Sequence, residues 1–188
     1  NNSKIYVKYD KGDKQGNRWY IESPYYIKWD IETVKWLKNN SGKPGKGMPV
    51  VRNPKFYFKK GFCWSDVHTT YLKCRENSKS VYDVTSMTLF ANNIKVNNEY
   101  LICLINSNFI SKFTEDFLNN TAHFQINDAR KLPVVIPTKT DLVFFKNQFD
   151  NAKKIQKEFF SGKKSQVLRD NELNKIEMNV EKKNYRII

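Results

Sequence analysis

With 33 Lys and Arg against 19 Asp and Glu in 188 residues, the net charge is +14, and an anionic partner, nucleic acid before membrane surface, is the first expectation. A hydrophobic share of 39%, of which Phe, Tyr and Trp supply much, is enough for a core of one domain, or of one domain with a helical appendage. Three cysteines without a CxxC pair, and no run resembling a signal peptide or membrane span, exclude a disulfide-built secreted scaffold and point to a reducing, cytoplasmic setting.

The charge is uneven. Residues 1–60 hold 14 Lys and Arg against 5 Asp and Glu, residues 61–140 hold 8 against 7, and residues 141–188 hold 11 against 7. The first residues are Asn1-Asn2-Ser3 rather than an initiator Met, so the chain is expected to be a piece of a longer polypeptide.

In chain order, Ile5–Tyr9 alternates apolar and polar as a half-buried strand does, and Tyr25–Trp29 alternates again. Between them, residues 8–20 read as a turn-rich basic loop. Asp30 is placed to N-cap a helix over 31–38, with Val34 and Leu37 inward and Lys35 and Lys38 outward. The Gly-Lys-Pro-Gly-Lys-Gly run within 39–49 reads as a mobile loop. Short strands are expected at Pro49–Val51, Phe56–Phe58, Thr69–Leu72, Val81–Val84 and Met87–Phe90. Asn98 is expected to cap a helix carrying Leu101, Leu104 and Ile105, which Asn106-Ser107 interrupts before Phe109, Ile110, Phe113 and Phe117 continue it. A strand at His123–Ile126, a turn at Asn127–Lys131 and the Pro-bounded run 132–137 follow. Leu142, Phe145, Phe149, Ala152, Gln156 and Phe159 form a seam that predicts a helix over 139–160. After Ser161-Gly162 a second helix over 165–184, with Leu168, Leu173, Ile176 and Val180, completes an antiparallel hairpin.

Catalytic constellations fail on their chemistry. Asn53-Pro54-Lys55-Phe56 resembles the Asn-Pro-Pro-aromatic loop of amino-methylating DNA methyltransferases, but Lys55 replaces the second proline that shapes that loop. Cys63, His68 and Cys74 are spaced too irregularly for a metal site. Glu181-Lys182-Lys183 has the form of a nuclease ExK without a partner carboxylate on a strand. No P-loop, GxGxxG or nucleophile–base set is present, so the chain is read as a non-catalytic fragment. The basic loops carry more weight. Lys11, Lys14, Arg18, Lys43, Lys46, Arg52, Lys59 and Lys60 are candidates for phosphate contacts, of which about 6–10 would give steep salt dependence. Gln15, Asn17 and Asn53 are candidate base readers, because Asn and Gln pair with adenine.

The order FYFKKGFCWSDV (56–67), SVYDVTSMTLF (80–90), EYLICLINS (99–107) and FQINDARKLPVVIP (124–137) resembles the TaqI-like C-terminal specificity domain of N6-adenine DNA methyltransferases and fused type IIG restriction-modification enzymes. KGDKQGNRWYIESPYYIKW (11–29) is similar to the segment that opens such domains. The resemblance covers roughly residues 5–140 and is strongest at Gly61 with Trp64-Ser65, at Leu104–Ser107 and at Arg130–Pro133. Arg130–Pro133 is also similar to type I specificity subunits before their spacer helix. The resemblance implies a target recognition domain that reads double-stranded DNA for a methyltransferase catalytic domain in the same polypeptide. S-adenosylmethionine belongs to that other domain, and no cofactor is expected in this chain. Gly61, Trp64, Asn106, Ser107, Leu132 and Pro133 are implied as scaffold.

The expected architecture is α+β: a twisted, mostly antiparallel sheet with flanking helices and a C-terminal helical hairpin. Residues 1–138 would form the recognition domain, and 139–188 the hairpin that packs on it or docks to the parent enzyme. The other reading is a protein-interaction module whose Phe-rich helices bind a partner and whose charge is incidental.

Overall fold

The computed structural model describes residues 5–13, 15–65, 71–77, 79–83, 85–91 and 95–187. Among the described residues six strands pair in two sheets. In the first, β1 (Tyr6–Asp10) lies between β2 (Tyr26–Lys28), antiparallel to it, and β5 (Val81–Tyr82), parallel to it. In the second, β3 (Gly61–Ser65) is flanked on both sides by antiparallel partners, β4 (Cys74–Asn77) and β6 (Ser86–Leu89). The class is therefore α+β, mostly antiparallel, with the strands divided between two small sheets rather than joined in one.

β3 is the strand that the alternation pattern does not reveal. Phe62, Cys63 and Trp64 are buried on both faces, so the run is continuously apolar. Trp64 donates its indole N–H to the Phe124 carbonyl at 2.8 Å, which satisfies its only polar group inside the core. Gly61 opens this strand because a Cβ there would lie 2.5 Å from the Leu89 carbonyl oxygen across the sheet.

Among the described residues there are six α-helices. The Asp30 carboxylate accepts the Thr33 N–H at 2.7 Å and starts α1 (Ile31–Asn40), with Val34 and Leu37 on its half-buried side. Asn97, rather than Asn98, caps α2 (Asn98–Ile105) by accepting the Tyr100 N–H. Tyr100, Ile102, Cys103, Leu104 and Ile105 are all buried, so α2 is the helix at the centre of the core. Ser107 then caps α3 (Asn108–Phe113), which runs into a π turn at Thr114–Leu118. After the one-turn α4 (Ile126–Ala129) come α5 (Lys139–Phe160), opened by a Thr138–Asp141 capping box, and α6 (Gln166–Ile187). A Lys183–Asp141 ion pair at 2.5 Å joins the end of α6 to the start of α5, so the two run antiparallel. Phe145, Phe149, Ala152, Leu173, Ile176 and Val180 belong to one buried cluster with Trp19, Trp64 and Tyr100. Leu168 stands on the exposed side instead of in the seam.

Several expected strands are absent. Pro49–Val51 is not a strand, and Phe56–Phe58 is replaced by a 3-10 turn at Pro54–Phe56, because Asn53 is left-handed (φ 49°) and Pro54 has no N–H for a ladder. Thr69, Thr70 and Val84 lie outside the described residues, while Tyr71 and Leu72 are in no strand. Of the expected strand at His123–Ile126, only His123 makes a β-bridge, and Ile126 begins α4, where the Asp128 carboxylate accepts the Gln125 N–H at 3.0 Å and closes a helical turn.

A buried ion pair joins the two sheets. Arg75 of β4, fully buried, donates through Nη2 to Asp10 Oδ1 at 2.8 Å, to the Lys11 carbonyl at 3.0 Å and to Ser86 Oγ at 3.3 Å. The Cys63 thiol donates to the other Asp10 oxygen at 3.6 Å. Asp10 thus fixes where β1 ends and where the loop beginning at Lys11 leaves the sheet.

Candidate nucleic-acid interface

The basic loop after β1 is organised around Asp13. Its carboxylate accepts the Gln15 N–H at 3.2 Å, the Asn17 N–H at 2.5 Å and the Asn17 side-chain amide at 3.0 Å. Asp13 donates its own N–H to Ser65 Oγ at 2.7 Å, and Gly12 donates to Thr85 Oγ1 at 3.0 Å, so the loop is pinned to the second sheet. Beyond it Trp19 is wholly buried at φ 72°, a left-handed conformation rare for a bulky residue. Hydrogen bonds hold it there: its N–H donates to the Cys74 carbonyl at 3.0 Å, and its carbonyl accepts the Glu76 N–H at 3.2 Å.

These contacts sort the candidate residues of the first loop. The Arg18 guanidinium lies 3.8 Å from the Tyr71 ring centre, donates to the Asn106 carbonyl at 3.0 Å and pairs with Glu177 at 3.3 Å. It is a structural arginine, held on every side. Asn17 is occupied by Asp13. Gln15 is exposed, and Lys11 is exposed beside the Tyr25 ring. Lys14 lies outside the described residues.

The second group is larger. From Thr33 to Lys60 the chain holds eight Lys and Arg and no Asp or Glu. α1 presents Lys35 and Lys38. The glycine run after it folds into a loop closed at its base, where the Gly42 N–H donates to the Pro49 carbonyl at 2.9 Å and the Val51 N–H to Ser41 Oγ at 2.9 Å. Gly42, Gly45 and Gly47 all have positive φ, and nothing lies within 4 Å of a Cβ built at Gly42 or Gly47. Lys43 and Lys46 are thereby held out from the body on a loop of defined shape. Across the base, Lys55 and Lys59 lie 5.3 and 5.2 Å from the Phe56 ring centre. Behind them Trp29 packs edge-on against Tyr57 and Phe58, and Tyr57 against Tyr82. The lysines therefore stand on an aromatic support.

Carboxylate partners separate these cations further. Lys60 pairs with Glu99 at 2.7 Å and Glu76 at 3.2 Å. Partial burial works to lower its pKa, but the hydrogen bonds that it donates to the two carboxylates, together with their charge, outweigh that and raise it. Lys153 also binds Glu76, so this corner is compensated. Among the described residues Lys11, Lys35, Lys38, Lys43, Lys46, Arg52, Lys55, Lys59 and Lys79 form no ion pair. Lys35, Lys38, Lys55 and Lys79 were not among the sequence candidates. The acid-free run was the signal that could have found the first three. Asn53 is exposed at the head of the 3-10 turn, next to Arg52.

The remaining chemistry is structural. Among the described residues no group of three His, Cys, Asp or Glu is placed to hold a metal ion. His68, of the Cys63-His68-Cys74 set, lies outside them. Burial pushes the Cys63 thiol up to about 12 and raises Cys74 and Cys103 well above the usual thiol range. The Glu181 carboxylate of the ExK triplet accepts the Asn108 and Phe109 N–H groups at 2.9 and 3.2 Å, capping α3. The glycine loop follows a helix rather than a strand, so it does not fit the strand–turn–helix cradle of a nucleotide cofactor such as S-adenosylmethionine. No helix among the described residues is long and apolar enough to cross a membrane. No family model matches the chain, and no curated protein matches it.

Proposed function

We propose that the chain binds double-stranded DNA through the acid-free segment 33–60, as the target recognition domain of an adenine-N6 DNA methyltransferase or a fused type IIG restriction-modification enzyme. The observation that carries this reading is the set of unpaired cations held out on α1, the closed loop and the 3-10 turn. Cations without carboxylate partners are free to neutralise phosphates and release their counterions. Arg52, Asn53, Lys43 and Lys46 are the side chains best placed to reach base edges, and Lys11 and Lys59 extend the phosphate-binding surface. S-adenosylmethionine and the transfer chemistry are assigned to a catalytic domain outside this chain.

Fluorescence anisotropy on mixed-sequence duplexes across a salt series tests the reading. Non-specific affinity is expected in the range of about 10⁻⁴–10⁻⁶ M at physiological salt. A Lys43→Glu/Lys46→Glu/Arg52→Glu variant should bind more weakly, with the log–log salt slope reduced by about 0.9 for each phosphate no longer neutralised. A flat salt response, or a charge-reversed variant that binds as well as the parent, refutes it.

A second reading rests on a separate observation. Tyr185, Phe109, Phe113 and Phe117 form a row of ring contacts at 6.1, 6.3 and 5.3 Å, with Tyr185 and Phe117 well exposed at its ends. Such a row, which joins α3 to the hairpin helix α6, favours a protein-docking role for this surface.

A further inference from the structure

The register of the β1–β2 ribbon sets Tyr6 opposite Lys28 and Lys8 opposite Tyr26. Because side chains alternate across a strand, all four project from one face, while Val7 and Ile27 project from the other. Tyr6 is 59% exposed and Tyr26 58%. Each tyrosine therefore has a lysine directly across the ladder and another two residues along its own strand. Tyr6 and Tyr26 are diagonal neighbours, at positions roughly 7–8 Å apart in antiparallel geometry. Among the described residues neither ring takes part in an aromatic contact. Lys8 pairs with the exposed Glu22 at 3.4 Å and Lys28 with the half-buried Asp30 at 2.8 Å. The exposed Lys8–Glu22 pair contributes little and exchanges readily for a phosphate, and the Lys28 ammonium, with three N–H donors, can take a phosphate while it holds Asp30.

We propose that this face is a stacking platform for unpaired bases of a single-stranded nucleic acid. The chemistry of the occupant follows from the pattern. An exposed ring gains from a flat π surface, a lysine two residues away gains from an anion, and a nucleotide strand repeats both at short intervals. A closed duplex offers its phosphates to the lysines but keeps its base faces stacked, so the tyrosines would add nothing to duplex binding. Residues 1–60, which contain the ribbon, hold 14 Lys and Arg against 5 Asp and Glu, and this excess makes a polyanion the complementary partner. The inference rests on the nucleic-acid reading of this half of the molecule, but it uses side chains other than those of the acid-free segment.

The test compares a fluorescein-labelled oligodeoxythymidine with a labelled duplex of equal length, by anisotropy, on the full chain. Tyr6→Ala/Tyr26→Ala should weaken oligodeoxythymidine binding at least tenfold and leave duplex binding within twofold. Tyr6→Phe/Tyr26→Phe should bind as the parent does, since the ring is kept. Circular dichroism confirms folding, which these exposed positions do not control. Equal loss on both probes, or no loss on oligodeoxythymidine, overturns the proposal. So does binding of the parent to phosphatidylserine-containing vesicles but not to oligodeoxythymidine. Binding of oligodeoxythymidine without duplex binding supports the platform and refutes only the duplex reading. If neither nucleic acid binds, both are refuted.

Discussion

Replacing Asn106 with alanine removes a clamp that works like a peptide group. Its Oδ1 accepts the Cys74 N–H at 2.7 Å and its Nδ2 donates to the Cys74 carbonyl at 2.9 Å, with the whole residue 4% exposed. The amide therefore joins the helix break between α2 and α3 to the edge of β4. After truncation the Cys74 N–H has no partner, which costs about 1–3 kcal/mol. The carbonyl keeps the Trp19 N–H at 3.0 Å, so that half of the clamp forfeits only about 0.5–1.5 kcal/mol. The expected destabilisation is about 2–4 kcal/mol, a large share of the 5–15 kcal/mol typical of a folded domain. At about 2–4 °C per kcal/mol for a chain of this size, Tm should fall by roughly 5–15 °C. Urea unfolding followed by far-UV circular dichroism should show a lower midpoint with an unchanged slope.

Asn106→Asp sharpens the test. It keeps the acceptor for the Cys74 N–H but sets a carboxylate against the Cys74 carbonyl in a buried site. Both effects disfavour the charged form, so its folded pKa rises above the ordinary value of about 3.9. The added penalty is then small at acid pH and grows as pH rises through the folded value. An alanine variant that loses less than about 1 kcal/mol, or an aspartate variant whose deficit relative to the parent ignores pH, refutes the clamp.

Two further predictions concern charge. Asp10→Ala leaves the Arg75 guanidinium buried without its counter-charge and should destabilise the fold by about 3–5 kcal/mol, whereas Asp10→Asn, which keeps an acceptor for Nη2, should cost less; thermal unfolding of both reads the order, and equal stability of Asp10→Ala and parent refutes it. The hydrogen bond from Lys28, then those from Thr33, hold the Asp30 carboxyl at about 2, below its ordinary 3.8. A depressed acid contributes stability above its unfolded pKa and loses it as pH falls through the folded one, so α1 should lose helicity between about pH 4 and pH 2, and Asp30→Asn should abolish that step in circular dichroism.

What the sequence discloses follows from how locally each element is determined. α5 is legible because Phe145, Phe149, Ala152 and Gln156 recur at helical spacing behind the Thr138–Asp141 cap. α1 is legible for the same reason, through Asp30. β3 is not, because a short run buried on both faces has no period to read. β4 is hidden more deeply: Cys74-Arg75-Glu76-Asn77 looks polar, and only Asp10 for Arg75 and Thr88 for Asn77 make it a core strand. The same distinction divides the site. Lys43 and Arg18 look alike as basic loop residues, but Glu177 and Tyr71, remote in sequence, take Arg18 out of the proposed interface. Lys60 is withdrawn by Glu76 and Glu99 in the same way. Lys43 and Lys46 stay available because their loop is closed by its own residues.

The grip of the hairpin on the Arg18–Trp19 segment has a consequence for biosynthesis. Gln156 donates its side-chain amide to the Arg18 carbonyl at 3.0 Å, and Glu177 accepts the Trp19 indole N–H at 3.4 Å. Both partners are made long after the segment they hold. A nascent chain emerging from the ribosome can form the β1–β2 ribbon early, but the left-handed Trp19 corner gains its first hydrogen bond from the hairpin only with Gln156 of α5, and its second only with Glu177 of α6. Until then one of the largest apolar side chains in the protein lacks its final enclosure. The native state is therefore reached by a late, long-range closure, and chains stalled before α6 are the ones that expose a tryptophan to aggregation or proteolysis.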